Sequence, residues 1–572
     1  MSEIKAYLVP FSHMDLFWLG AQEECLSRGN RVISEAMEMA AKHPEFRFLI
    51  EDLVFIDYFL RCHPEKKAAL KEIVQRGQLE IGPKWAGIDQ TPQVGEDLVR
   101  NSLYALDYLE KEFGYAPKTM HTGDLPGWTP QYPQIAQKLG IPYIVYTRTG
   151  PTDVSLFYWV GLDGTKSLVW YSLNGYGWAW HGGGLEISVE KAMENGLERT
   201  MQEVLAQGVQ PIFVHWGVDL ILPGRKLPAN LKKWNEVSEI KMAFATPTEY
   251  FERAPKDNLR EIRGEAPSAW PYSDPQYPRY MTLTLPAVAA LLNGERFSAI
   301  AWHQGFLPDY PAAKIKESWY QVLEAMDHNN NGQGYDFTLE RKSAYYQSSI
   351  HTAGRLTEDA LRRIAENVKA PFGGSCCPIV VFNPMSWDRT ELVKAHVTYH
   401  GDIVAWEIDE FRKVKMVDEV GKPVEFQQTD IREGVSREEY IRFTAKDVPA
   451  CGYKTYYVLP AEEPPQVVPV CRQDDRTFVT PFYEVVADKV TGDISVKELA
   501  SGHTVIARMF VVGIEEVLEN GSFRDTATGR RHENIIDAVE LIDNGTISAT
   551  IEVRGRIGKN GVLQQVTLYK DH

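Results

Sequence analysis

Residues 119–147 read TMHTGDLPGWTPQYPQIAQKLGIPYIVYT. Thr119–His121 and Tyr143–Thr147 are short apolar runs set off by Gly and Pro, the pattern of buried strands. Asp124 stands just past the first run and Arg148 just past the second. Working outward, the same punctuation recurs through the first 260 or so residues. Strands are also expected at Ile4–Pro10, Phe46–Ile50, Leu79–Ile81, Leu168–Ser172 and Ile212–His215, seven in all. Amphipathic stretches lie between them; in Leu98–Phe113 apolar residues recur at helical spacing. Strands alternating with helices imply parallel pairing through right-handed crossovers. Seven such strands suit either a barrel or a doubly wound sheet. Aromatic and charged residues at the strand ends favour an α/β barrel over 1–262, with its site at the C-terminal face.

From 263 to 370 the pattern turns helical. Ile315, Trp319, Val322 and Met326 would share one buried face, and Leu339–Val368 reads as a long helix, so a helical bundle is expected. PFGGSCC at 371–377 breaks it. The region 371–572 carries β-rich runs with polar turns, at Ile379–Phe382, Glu391–Thr398, Tyr453–Leu459 and Ser548–Ile557, a β-sandwich signature. AEEPPQVVP at 461–469 reads as a linker between two β subdomains. After the strand-like Gln564–Tyr569 no closing element follows, so the β region is expected to be incomplete at its C-terminal end.

A chain of 572 residues exceeds what one core supports, in keeping with this multidomain α/β, α and β reading. A net charge of -17 argues against nucleic acid, whose phosphates demand a basic surface. There is no run of 18 apolar residues, so no membrane span is expected. The six cysteines are sparse and lack metal or redox spacing, and the N-terminus has no basic region followed by a long apolar run. Free thiols and a cytoplasmic location are therefore expected. Oligomeric state is left open, a homo-oligomer included.

Four strand ends carry candidate chemistry. His13 and Asp15 follow the first strand, with Trp18 nearby; Asp124, Arg148 and Asp219 follow others. Imidazole and carboxylate one residue apart suit zinc, although an isolated His-x-Asp also reads as a surface or capping pair. Trp18, Trp128 and Trp178 suit the C–H faces of a sugar, or core packing. Glycoside hydrolysis needs two carboxyl groups flanking the scissile bond. Asp124 and Asp219, on different strand ends, could supply them; each alone could equally be a helix cap.

At this point the sequence resembles glycoside hydrolase family 38, the zinc-dependent α-mannosidases, as a variant bacterial-type member. The resemblance lies in HMDLFW at 13–18, GQLEIGPKWAGID at 77–89, GDLPGWTPQYPQIAQKLGIPY at 123–143, DHNNNG at 327–332 and VVFNPMSWDR at 380–389. It implies a seven-stranded α/β barrel, a helical bundle and β-sandwich domains. It also implies one zinc per chain, held by His13, Asp15 and Asp124, with His328 as the fourth ligand. Trp18 matches a sugar-stacking tryptophan, Arg148 an arginine beside the nucleophile, and Asp219 the acid catalyst. Three departures bear on substrate identity: Phe11 stands where a His is common, Pro126 where an aromatic residue is common, and Asp327-His328 reverses the usual order. Asp327 is therefore either an alternative ligand or a substrate contact.

The implied activity is a retaining exo-glycosidase on terminal α-mannosides, with Asp124 as nucleophile and Asp219 as general acid and base, acting on an oligosaccharide or small glycoside. Two other readings stand beside it. One is a sugar-binding paralogue without activity, motivated by the three departures. The other is a different zinc hydrolase acting on carbohydrate, with His121 or His215 as base, though each also reads as a structural strand-end histidine.

Overall fold

The computed structural model describes residues 3–90, 95–125, 127–148, 150, 153–173, 175–266, 281–329, 336–369, 371–372, 376–399, 413–433, 437–518 and 525–571. Pro126 and the last three residues of the DHNNNG motif lie outside them. The chain divides into two compact units, Met1–Leu361 and Arg362–His572.

The first unit contains β1 (Ala6–Pro10), β2 (Phe48–Ile50), β3 (Leu79–Ile81), β4 (Thr119–Thr122), β5 (Tyr143–Tyr146), β6 (Leu156–Val160), β7 (Lys166–Tyr171), β8 (Ile212–Trp216), β9 (Met242–Phe244) and β10 (Glu261–Arg263). All seven expected strands are present; β6, β9 and β10 are additional. β1 pairs in parallel with β8 on one side and β9 on the other. β4, β5 and β7 pair in parallel, and β2 pairs in parallel with β3. β6 returns antiparallel on β7 across a tight turn at Asp163-Gly164.

The expected ring of seven strands is not what these ladders form. Among the described residues the strands fall into three sheets, and β2 reaches the β1 side only through one bridge, Phe11 to Leu49. β2 and β3 are three residues long, too short for a continuous ladder on both edges. The α/β layer expected from the alternation is present.

The helices follow their sequence signals. Gln22–Lys42 buries Cys25, Leu26, Val32, Ile33, Ala36 and Ala40 on one face, with Glu23 and Glu24 in its first turn and Lys42 in its last, matching the helix dipole. Glu96–Phe113 ends on Gly114 at φ 60°, a left-handed cap that glycine adopts without steric cost. Further helices run Thr284–His303, Ala312–Ala325 and Asp336–Glu366. Ile315, Trp319, Val322 and Met326 are buried in one core with Phe55, Ile81 and Trp85. The helical region thus shares a core with part of the α/β layer, and both lie in one compact unit up to Leu361, which has a second core around β1 and β8.

The second unit is β-rich, and its described ladders are all antiparallel. The sheets built on Arg437–Val448 and on Gly452–Pro460 bury Ile441, Phe443, Tyr456 and Val458 in one core. Ala461–Pro469 has neither helix nor strand, and a second core begins with Val470 and Cys471. All six cysteines are free. Among the described residues no helix is long and apolar enough to cross a membrane.

Candidate active site

Strand ends and one helix end converge. Past β1, His13 N donates to Val218 O at 3.3 Å and His13 O accepts from Leu220 N at 2.9 Å, which sets His13 opposite Asp219 beyond β8. Asp124 follows β4 and Arg148 follows β5. Asp327 and His328 follow the helix Ala312–Ala325 and are tied to the motif at 77–89. Ile88 bridges Asp327, and Gly87 O accepts from His328 N at 2.9 Å.

His13, Asp15 and His328 are buried, and one ligand atom from each lies within 4.8 Å of the others. Asp15 Oδ1 is 3.3 Å from His13 Nε2 and 3.2 Å from His328 Nε2; Asp124 Oδ2 is 3.9 Å from the latter. Asn329 Nδ2 donates to Asp15 Oδ1 at 2.6 Å and to Asp327 Oδ1 at 3.1 Å. Thus His328, not Asp327, directs its side chain at Asp15 and Asp124. The Asp327 carboxylate instead accepts from Asn329, and Lys342 Nζ lies 3.9 Å away.

Both imidazoles are oriented from behind. His328 Nδ1 donates to Gly87 O at 3.0 Å; a carbonyl only accepts, so Nδ1 carries a proton. His13 Nδ1 lies 2.8 Å from Glu51 Oε2. His13 Nε2 is buried and makes no hydrogen bond. An orphaned imidazole nitrogen facing a carboxylate and a second imidazole is a donor set that fits a divalent cation.

The electrostatics follow the same geometry. Burial would lower His13, but Asp15 and Glu51 hold it well above the ordinary imidazole value. Burial opposes ionisation of Asp15 and Glu51; the adjacent imidazoles outweigh it and hold both carboxyls well below their usual range. Burial likewise works against His328, which Asp327 and Asp15 lift to about 9. Burial raises Asp124, opposed by His13, Arg148 and His328.

Arg148 forms a direct ion pair with Asp124, and its guanidinium lies 5.2 Å over the Tyr176 ring. Tyr176 donates to Asp219 Oδ1 at 2.6 Å. Trp18 is half-buried; its carbonyl accepts from Cys25 Sγ and from Arg28, both at 3.3 Å. Trp128 is a core residue, stacked on Tyr146 at 3.8 Å, so its sugar reading gives way to the packing one. Trp178 is half-buried against the second core of this unit. His121 and His215 are fully buried and bonded to each other, as structural strand-end histidines would be. Glu51, Tyr176 and Asn329 are site residues that sequence reasoning missed.

Residues 3–281 match the family model described as the glycosyl hydrolases family 38 N-terminal domain. That segment, just under half of the chain, is similar to glycoside hydrolase family 38. His13, Asp15, Trp18, Asp124, Arg148 and Asp219 all lie inside the matched family 38 segment; Asp327 and His328 lie beyond it. Alpha-mannosidase G of Dictyostelium discoideum is 27% identical over 173 residues, 29% of this chain and 16% of that protein. Alpha-mannosidase 2C1 of Mus musculus is 22% identical over 394 residues, 67% of this chain and 36% of that protein. The chain therefore spans little more than a third of these curated relatives at most. A solved structure titled as an alpha-mannosidase from Enterococcus faecalis V583 has the same fold, with a TM-score of 0.79 at 18% identity, over 100% of this chain and 73% of that one.

Proposed function

We propose that the chain is a zinc-dependent retaining exo-glycosidase acting on terminal α-mannosides. The observation that carries this reading is the convergence of His13, Asp15 and His328 beside Asp124. His13, Asp15, Asp124 and His328 would hold one zinc ion. When bound, zinc supplies a Lewis-acidic centre that orients sugar hydroxyls and favours the ionised form of Asp124.

The remaining chemistry belongs to the chain. The Asp124 carboxylate attacks the anomeric carbon as the bond to the leaving oxygen breaks, and Asp219 delivers its proton to that oxygen. Asp219 then takes a proton from water, which displaces Asp124 and gives net retention. Arg148 holds the Asp124 carboxylate in place, and Tyr176 aims Asp219. Trp18 offers an apolar face to the sugar, and Asp327 a hydroxyl contact. The relatives named as α-mannosidases support mannosides as the substrate class. Six free thiols suit a reducing compartment, and we assign the chain to the cytoplasm on that ground.

The test is the metal content of the purified chain by mass spectrometry, beside Asp15→Ala and His328→Ala. About one zinc per chain, lost in both variants, is expected of a four-ligand site. A panel of α-glycosides, with the product anomer followed by NMR, then tests the reaction. No zinc after supplementation would sink the mechanism and favour a sugar-binding paralogue. Zinc without glycoside turnover would favour a different zinc hydrolase.

A further inference from the structure

Glu51, just past β2 and only 2% exposed, has no part in the reaction above, yet both of its oxygens are engaged. Oε2 lies 2.8 Å from His13 Nδ1; Oε1 lies 2.6 Å from His121 Nδ1 and accepts from Gly123 N at 3.2 Å. His121 Nε2 lies 3.1 Å from His215 Nε2, and His215 Nδ1 has no hydrogen-bond partner. We propose that Glu51 is a positioning residue that sets the tautomers of three buried histidines and clamps the turn before Asp124, so that His13 turns a bare Nε2 toward a bound divalent cation. This rests on the metal reading above and extends it to a residue outside the ligand set.

The proton arrangement follows from donor and acceptor counting. An ionised carboxylate only accepts, so Nδ1 of both His13 and His121 carries hydrogen. With that one proton on His121, we assign its Nε2 as the acceptor of His215 Nε2–H. That leaves His215 Nδ1 bare, and it is the nitrogen that lacks a partner. In the neutral form of His13 that binds a cation, its bare Nε2 faces Asp15 and His328.

The clamp on Asp124 is steric as well. A Cβ on Gly123 would lie 2.6 Å from Glu51 Oε1, closer than real Cβ contacts come, and 3.1 Å from His13 Nδ1, a tight contact. The turn that delivers Asp124 therefore rests directly on the Glu51–His13 pair. A glutamine at 51 has one accepting oxygen and one donating amide, so it cannot accept from both imidazoles. One ring must then reverse its tautomer, and if it is His13, an N–H points where the cation would sit.

The test is competition for zinc against a chromophoric chelator on the full chain, wild type beside Glu51→Gln, with the cobalt(II) absorption spectrum as second readout and circular dichroism of the metal-free protein as folding control. Glu51→Gln is expected to lose about 10- to 100-fold in zinc affinity and to change the cobalt spectrum, the usual cost of removing an outer partner of a ligating His. Zinc affinity within about twofold of wild type, with the same cobalt spectrum, would overturn the proposal. Should the variant not fold, long-range proton–nitrogen NMR of the histidine-labelled, zinc-loaded wild type decides it. Nδ1–H at His13 and His121 with Nε2–H at His215 is expected; the reverse at His13 or His121 would overturn it. Failure of wild type to bind zinc, or retention of zinc by Asp15→Ala, sinks the metal reading and this proposal with it. An unaffected Glu51→Gln beside a zinc-binding wild type sinks only the role of Glu51.

Discussion

Tyr176 donates its phenolic hydrogen to Asp219 Oδ1 at 2.6 Å, and the same ring lies beneath the guanidinium that pairs with Asp124. One side chain thus touches the acid directly and the nucleophile through Arg148. Tyr176→Phe keeps the ring under Arg148 and removes only the bond to Asp219. The loss should depend on the leaving group, because proton delivery matters most for poor ones. Hydrolysis of mannosides with alkyl aglycones is expected to fall about tenfold or more in kcat, and that of nitrophenyl mannosides much less. Equal losses on both substrates would assign Tyr176 a role other than aiming Asp219.

The reversed Asp327-His328 order gives a second prediction. His328 Nε2 faces Asp15 and Asp124, whereas the Asp327 carboxylate accepts from Asn329 N and Nδ2, both at 3.1 Å. His328→Ala should bind almost no zinc, and Asp327→Asn should keep about one per chain while losing kcat/KM on mannosides. Mass spectrometry of the native proteins separates the two. Zinc lost from Asp327→Asn but kept by His328→Ala would reverse the assignment.

Glu80, buried on β3, makes the stability of the first unit depend on pH. Burial pushes its carboxyl up to about 7, although Thr248 donates to both oxygens, at 2.8 and 3.0 Å. The folded protein therefore holds a proton that the unfolded chain releases near 4.5, the group's ordinary value. Stability from this group is complete below that value and is lost as pH rises through about 7. The change amounts to roughly 3 kcal/mol. Glu80→Gln should flatten this fall, seen as a smaller difference between urea midpoints at about pH 5 and about pH 8. An unchanged difference would place the titration elsewhere.

What the sequence disclosed and what it withheld have physical reasons. Strands such as β5 and β8 announce themselves because all their residues except His215 are aliphatic or aromatic and a Pro precedes each, and both were read within a residue or two. β9 and β10 have three residues each, too few for any period to register. β6 had a readable signal, the Asp163-Gly164 turn between two aromatic-rich runs, which marks a hairpin. The closed barrel was inferred from alternation and resemblance; alternation fixes that strands pair in parallel but not which edges meet. His13 and Asp15 were metal candidates by residue type and spacing, whereas Asp124 and His328 entered the ligand set only through the family resemblance. Glu51 was not legible, since Glu51-Asp52 before the helix Leu53–Cys62 looks like a helix start, and nothing in spacing links 51 to 13 and 121. Tyr176 sits in a Gly-rich loop and carries no charge, so its bond to Asp219 left no trace in the sequence.

The turn after Trp18 yields the last prediction. Leu19 has φ 53°, a left-handed conformation that costs a β-carbon residue about 1–2 kcal/mol. Its side chain is 53% exposed, so little packing offsets that cost. The turn is held by Arg28, whose Nη2 donates to Trp18 O at 3.3 Å and Leu19 O at 3.0 Å. Arg28→Ala removes the restraint, lets Leu19 relax and frees Trp18, the residue proposed to offer its face to the sugar. KM for mannosides is expected to rise about fivefold while kcat stays within about twofold, the pattern of lost uniform binding. Leu19→Gly keeps the conformation without the strain. It should leave KM unchanged and raise the urea midpoint by an amount worth up to about 1 kcal/mol. The two variants thus move different observables from one turn. An Arg28→Ala enzyme with unaltered KM would show that the strained turn has no part in placing Trp18.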